Sequence, residues 1–525
     1  MKKNIFFNNI NEKILIIILI PFSFIINQYY GNLGVFPVDS FSHFDTGYKV
    51  LLGDHPFKDY WVVSGPLLDY LQAVFFYLFG VNWQSYLLHA SLFNAVLTLS
   101  TFLILKDFKL NIYYCFFYSI LFSILAYPSS GTPFVDHHSA FFCLLSIYSL
   151  MLAIKYEKKI YWYILPLLLA CAFFSKQVPS AYVILSLFIV LIFYSVIQKN
   201  YIWSKHFVFS SFLILFSLLV FGKIQGISFS SFLEQYILYP QTIRLERLES
   251  FNLTINQFLS HFKFIHISLI LLFYVNIKLI LLKKNYIKQN GFCNFLILTF
   301  FTFSLISHQL LTKNQTFIFF IIPILIAFAS INLNTLKFKF NSIIQILLIL
   351  ICLLITVKYH VRFNEGRKFH ELSNINVNLF TRGQEIDNKF KGLKWITPEY
   401  KDSSAEEVAL INEVKLHLSK DGRAKMLLTN YSFFSVLLEE NLHSPSRWYL
   451  SDGTDYPLKG SKYFIKYKNL IINLIKKNEI LVIYTIEPLD NSTISTYLGE
   501  NCFKKNKIST ILNSYELNNC QEIND

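Results

Sequence analysis

Eleven apolar segments, most close to twenty residues long, punctuate the first 358 positions of the chain, near 13–33, 82–105, 112–127, 138–154, 160–174, 179–197, 206–222, 264–282, 292–311, 316–331 and 341–358. A bilayer span needs about 20 predominantly apolar residues, because in hydrocarbon each backbone polar group has to be satisfied inside its own helix. The pattern therefore predicts a polytopic α-helical membrane protein with about eleven transmembrane helices. Composition agrees, with 54% hydrophobic and only 15% charged residues, against about 25% charged in soluble domains. The first segment, "ILIIILIPFSFIINQYY", is followed by no small-residue cleavage site, so it is expected to remain as an uncleaved helix. "PLLDYLQAVFFYLFG" at 66–80 is apolar but short, and is expected to lie at the membrane interface.

The net charge of +14 sits mainly in short loops. Lys106 and Lys109, Lys155, Lys158 and Lys159, Lys199 and Lys205, Lys283, Lys284 and Lys288, and Lys337 and Lys339 occupy alternate connections. With the lysines at the N-terminus, all fall on one side, which is the positive-inside pattern rather than a nucleic-acid footprint. Eleven spans with the N-terminus in the cytoplasm and the C-terminus outside satisfy the alternation; the expected location is a bacterial inner membrane. No Walker loop, Gly-rich dinucleotide fingerprint or CxxC pair is present.

Beyond residue 358 the sequence turns polar. Ser404 followed by Glu407 reads as a capping box opening a helix to about Lys420. "AKMLLTN" and "EILVIYTI" read as strands, and "YSFFSVLLEEN" and "KYFIKYKNLIINLIKKN" as helices. Residues 1–358 are thus expected to form the membrane domain and 359–525 an extracytoplasmic, periplasmic α/β domain. Cys502 and Cys520 fall in that region and can form a disulfide if it faces an oxidising compartment.

The outward loops hold a large share of the ionisable residues. The stretch "SFSHFDTGYKVLLGDHPFKDYWVVSGPL" (40–67) carries His43, Asp45, Asp54 and Asp59. "SSGTPFVDHHSAFF" supplies Asp136, His137 and His138, and "FFSKQVPSA" supplies Lys176. "YILYPQTIRLERLESF" supplies Arg244 and Arg247, and "SHQLLTKNQTF" supplies Lys313 and Gln315. Ionisable groups at span ends are costly and often functional, so one polar cavity at the outer face is expected. Asp45 also fits a helix cap or a solvated loop acid. Asp136 and His137 suit orienting an acceptor, binding a phosphate, or holding a divalent metal with His43 or Asp45. No metal ligand set is assigned and no cofactor is certain.

The run "F-D-T-G-Y-K-V-L-L-G-D-H-P-F-K-D-Y", then "G-P-L" and a short helix ending "L-F-G", resembles the first outer loop of GT-C glycosyltransferases. The branch with protein O-mannosyltransferases and lipid A aminoarabinose transferase is the most similar, over about the first 200 residues. The resemblance implies a polyprenyl-phosphate-linked sugar donor and a polysaccharide, lipid or protein acceptor, with membrane lipids around the chain. It also implies an acidic catalytic base at the start of the first outer loop, a position matched by Asp45; Asp136, from its own cluster, is the other catalytic candidate. Lys176, Arg244, Arg247 and Lys313 are then candidates for the donor phosphate, and His43, Asp59, His137, His138 and Gln315 for the acceptor side. The second acid that the family often has beside the base is Thr46 here, and its doubled proline is reduced to Gly65-Pro66. A transporter or flippase of lipid-linked saccharides, or a membrane scaffold, is the alternative. A transporter should show two related halves and polar breaks near the bilayer midplane, and the sequence has neither.

Overall fold

A computed structural model describes residues 10–127, 131–243, 254–312, 318–336, 340–373, 375–450, 452–486, 489 and 492–518. Each of the eleven apolar segments forms a helix. Among the described residues, eight helices are long and apolar enough to cross a membrane, from Ile10–Gly31 to the one that starts at Asn341. Three, Ile112–Ala126, Lys159–Ser175 and Ile321–Leu336, are shorter. At about 1.5 Å per residue these reach only part of a 30 Å hydrocarbon layer.

Burial separates the core of the bundle from its lipid-facing rim. Val135–Tyr156 is the most enclosed span, with 72% of its most apolar window buried, whereas Ile202–Gln225 has 6%. The enclosed helices carry small and polar residues that knit them together. Asn94, for example, donates from Nδ2 to the carbonyls of Ser23 (3.0 Å) and Ser123 (3.1 Å). Such a side chain bonds spare backbone acceptors in neighbouring helices where water is absent.

Between the first span and Trp83–Asp107 the chain makes a turn of helix at Pro37–Ser40, a helix at Ser42–Leu51, a loop, and the helix Pro66–Phe79. The last is two-faced: Leu68, Asp69, Gln72, Phe75 and Phe76 are buried, while Val74, Tyr77, Leu78 and Phe79 are exposed. An apolar face left open on a short helix suits a position along a membrane surface.

Past His360 the chain builds two sheets. β1 (Thr381–Arg382) pairs antiparallel with β2 (Lys394–Trp395). The larger sheet has the order β3-β4-β6-β5, with β3 (Lys425–Leu428) parallel to β4 (Val482–Ile486). β6 (Leu512–Leu517) runs antiparallel to both β4 and β5 (Phe503–Lys507). The helix Ser404–Lys420 forms with the expected bounds, but not by a capping box. Its N-cap is Ser403, which makes no side-chain capping bond. Glu407 instead turns into the core and accepts from Trp395 Nε1 (2.7 Å), Thr397 Oγ1 (3.0 Å) and Tyr431 OH (2.8 Å). Three buried donors outcompete the helix's own amide. The segment around Phe434 yields only a short helix, Phe434–Leu438. Cys502 is buried and disulfide-bonded, and Cys520 lies outside the described residues.

The first loop and the C-terminal region are bound to each other by polar contacts. Lys49 Nζ donates to the Ser444 carbonyl (2.9 Å), Asp54 accepts from Asn441 (2.7 Å), and Asp59 pairs with Lys477 (2.8 Å). Trp61 N–H donates to the Pro445 carbonyl (2.8 Å). Most of the loop's charge is spent on this interface.

Candidate active site

One cavity of about 540 Å³ opens at the end of the bundle where the first loop lies, within the size range of small-molecule sites. Its wall includes Asp39 and His43 from the first loop, Asp136, Lys176, His308, and Arg447 from the C-terminal region. With Pro240 and Gln241 also on the wall, five interhelical connections and the C-terminal region meet around one space. Phe36, Phe134, Phe173 and Leu311 supply apolar wall.

Asp136, at the N-terminal end of the most enclosed helix, has both oxygens engaged. Oδ2 is 2.6 Å from Lys176 Nζ and Oδ1 is 2.7 Å from His308 Nε2. Lys176 stands between Lys159–Ser175 and Gln177–Gln198 as a cap residue of both. Its side chain is a quarter exposed, so its ammonium has donors to spare for a ligand.

Asp39 is the carboxylate on this wall left unengaged: among the described residues its side chain makes no hydrogen bond or ion pair. It sits on the turn that Pro37 opens, with the fixed φ of proline suiting the first helical position. Desolvation pushes its carboxyl up to about 7, the charge of Asp136 adds to that shift, and Lys176 opposes it. A carboxylate so poised accepts a proton near neutral pH. Asp452, also on the wall, is exposed and accepts from Thr454.

Asp69 is completely buried and fills its four acceptor positions. Oδ1 accepts from His43 Nδ1 (2.8 Å) and Thr46 Oγ1 (2.5 Å), and Oδ2 from Tyr60 OH (3.0 Å) and Arg447 Nη2 (2.6 Å). Arg447 Nη1 reaches the Ser64 carbonyl (2.5 Å), while its Nε has no hydrogen-bond partner among the described residues. With Nδ1 committed as a donor to Asp69, a neutral His43 carries its lone pair on Nε2. Burial lowers the His43 pKa, favouring that neutral form. His43 therefore presents an acceptor nitrogen to the cavity wall.

Gly65 makes room for this ring. Its φ is +69°, and an added Cβ would stand 2.6 Å from both His43 Cε1 and Val135 Cγ1. Gly65→Ala is expected to move His43 and lower any turnover at this site by about 100-fold, the scale of a 1 Å misplacement. Initial rates on protein that still elutes as a single folded species check this.

The other sequence candidates are distributed as follows. Asp45 is buried and paired with Lys49 (3.1 Å), and does not line the cavity. Asp59 serves the interface with Lys477 and caps the His55 amide (2.9 Å). His138 is buried in a chain of bonds, Nδ1 to Tyr127 OH (3.0 Å) and Nε2 to His89 Nε2 (3.1 Å). His137 packs against Tyr127, with ring centroids 4.6 Å apart. Neither histidine lines the cavity. Arg244, Arg247, Lys313 and Gln315 lie outside the described residues. Among the described residues no group of three His, Cys, Asp or Glu side chains is placed to hold a metal ion.

Asp39, Asp69, His308 and Arg447 were not singled out by the sequence. For Asp69 a signal existed, a lone acid in an otherwise apolar helix. For Arg447 none did, since its partner lies 378 positions away.

A model of the dolichyl-phosphate-mannose-protein mannosyltransferase family matches residues 54–221. No curated protein matches the chain. The match covers less than half of the sequence, from within the first loop to a point inside the helix Ile202–Gln225. Together with the polytopic helical architecture, it supports a membrane glycosyltransferase of the GT-C superfamily.

Proposed function

We propose that the chain transfers a sugar from a polyprenyl-phosphate carrier to a hydroxyl acceptor, a glycan, lipid or protein, on the extracytoplasmic side of the membrane. The observation that carries the reading is Asp39, a carboxylate with no hydrogen-bond or ion-pair partner among the described residues, on the same cavity wall as Lys176 and Arg447. In this reading Asp39, rather than the ion-paired Asp45, is the general base, and Asp136 acts by holding Lys176 and His308. Asp39 takes the proton of the acceptor hydroxyl while the hydroxyl oxygen attacks the anomeric carbon. The bond from that carbon to the carrier phosphate breaks, and its electron pair leaves with the phosphate. Lys176 and Arg447 offset the charge that develops there, and His43 Nε2 orients the acceptor. Asp136 has no free oxygen to attack the sugar, which favours a single displacement with inversion over a covalent intermediate. The alternating lysine-rich loops support an orientation with this face outside.

The pH dependence of kcat/KM tests the assignment. Protonated Asp39 cannot accept a proton, so the rate is expected to fall as pH drops through about 7. Asp39→Asn should lose that acidic limb together with most of the rate. A profile flat from pH 5 to pH 9 would rule Asp39 out as the base.

A further inference from the structure

Two antiparallel spans leave a second, separate pocket where Lys263–Leu282 begins and Asn341–His360 ends. It encloses about 300 Å³ and shares no lining residue with the large cavity. Three cations line it, Lys263 and Lys358 from the two helices and Arg362 from the turn that follows. All three are exposed, and none is paired with a carboxylate among the described residues. Glu365, the acid closest in sequence, lies 3.5 Å from His360 instead.

Aromatic rings back the cations. Lys263 Nζ and Lys358 Nζ lie 5.4 and 5.2 Å from the centre of the Phe264 ring. Phe264 in turn meets the buried Tyr359 edge-on at 5.9 Å. Such contacts favour particular positions of the ammonium groups. Asn256 and Ser260 add polar groups to the wall.

Mutual repulsion of three close cations is unfavourable unless an anion joins them. Their location also runs against the general charge pattern, since the proposed orientation puts this end outside, the side where lysine and arginine are depleted. We propose that this pocket binds the phosphate of an anionic lipid headgroup at the outer membrane surface. The chemistry is a phosphate ester on an apolar chain, shared by anionic phospholipids and polyprenyl phosphates. The inference uses the proposed orientation but does not depend on sugar transfer or on Asp39.

Native mass spectrometry of the full chain in detergent tests it. Dioleoyl-phosphatidylglycerol, undecaprenyl phosphate and, as a zwitterionic reference, dioleoyl-phosphatidylcholine serve as probes. The wild-type chain is expected to bind at least one anionic lipid more tightly than phosphatidylcholine. Each Lys or Arg near an anionic headgroup contributes a factor of about five, so Lys358→Gln/Arg362→Gln is expected to weaken that binding about 25-fold while leaving phosphatidylcholine unchanged. Loss confined to phosphatidylglycerol assigns the pocket to phospholipid, and loss confined to undecaprenyl phosphate assigns it to the carrier. Loss of both assigns it to the shared phosphate. Binding of both anionic lipids within twofold of wild type in the double variant, and in a separate Lys263→Gln variant, overturns the proposal. Both variants alter exposed side chains, so a folded sample is expected in each case.

Discussion

Asp39→Asn is expected to lower sugar transfer by about 10² to 10⁴-fold, the usual contribution of a general base, while leaving the fold intact. The side chain makes no hydrogen bond or ion pair among the described residues, so the amide removes basicity and little else. Asp45→Asn is the informative comparison. It deprives the buried Lys49 of its carboxylate partner at 3.1 Å, leaving that ammonium the Ser444 carbonyl. Its cost should fall on stability and on the seating of the C-terminal region, with transfer per folded molecule preserved. Rates with a synthetic polyprenyl-phosphate-sugar donor, normalised to the monodisperse fraction, separate the two. Loss of transfer in Asp45→Asn with full activity in Asp39→Asn would return the base to Asp45.

Arg447→Ala is expected to cost about 3–5 kcal/mol, because it leaves Asp69 buried and charged without its guanidinium. The damage reaches further than stability. Asp69 also fixes His43, and Arg447 is a cation on the cavity wall. Asp69→Asn combined with Arg447→Met removes both charges and should recover much of the thermal midpoint. It should not recover transfer, since the cavity then loses one of its cations and His43 loses its charged anchor. Thermal unfolding in detergent beside transfer rates reads both effects. Recovery of the rate together with the midpoint would mean that the pair is purely structural.

The helical architecture was legible from hydropathy because a span's apolar length is a local property of the sequence. So was the convergence of the outer connections on one cavity, since alternate loops of a bundle share an end. The identity of the free acid was not legible. Asp39 and Asp45 are six residues apart, and the chain breaks between them at Phe41, where one short helix ends before the next begins. Even on an unbroken helix, six residues would leave the two side chains about 120° apart around the axis, so only one of the pair can face a given cavity squarely. Spacing alone does not say which.

The charged first loop was read as a wall of the cavity, yet Lys49, Asp54 and Asp59 mainly hold the C-terminal region. Those contacts join positions 387 to 418 apart, and no local pattern encodes them. Glu407 shows the same limit at short range. Its spacing from Ser404 satisfies the capping-box rule, but three core donors claim the carboxylate.

A structure of the full chain in a lipid nanodisc with undecaprenyl phosphate bound measures the central claim most directly. The account predicts the phosphate in the cavity of about 540 Å³, within about 3 Å of Lys176 Nζ, on the side reached by Arg447 and with Asp39 facing the space left for sugar and acceptor. A carrier phosphate bound elsewhere, with Lys176, Arg447 and Asp39 around a cavity that excludes it, would contradict the account.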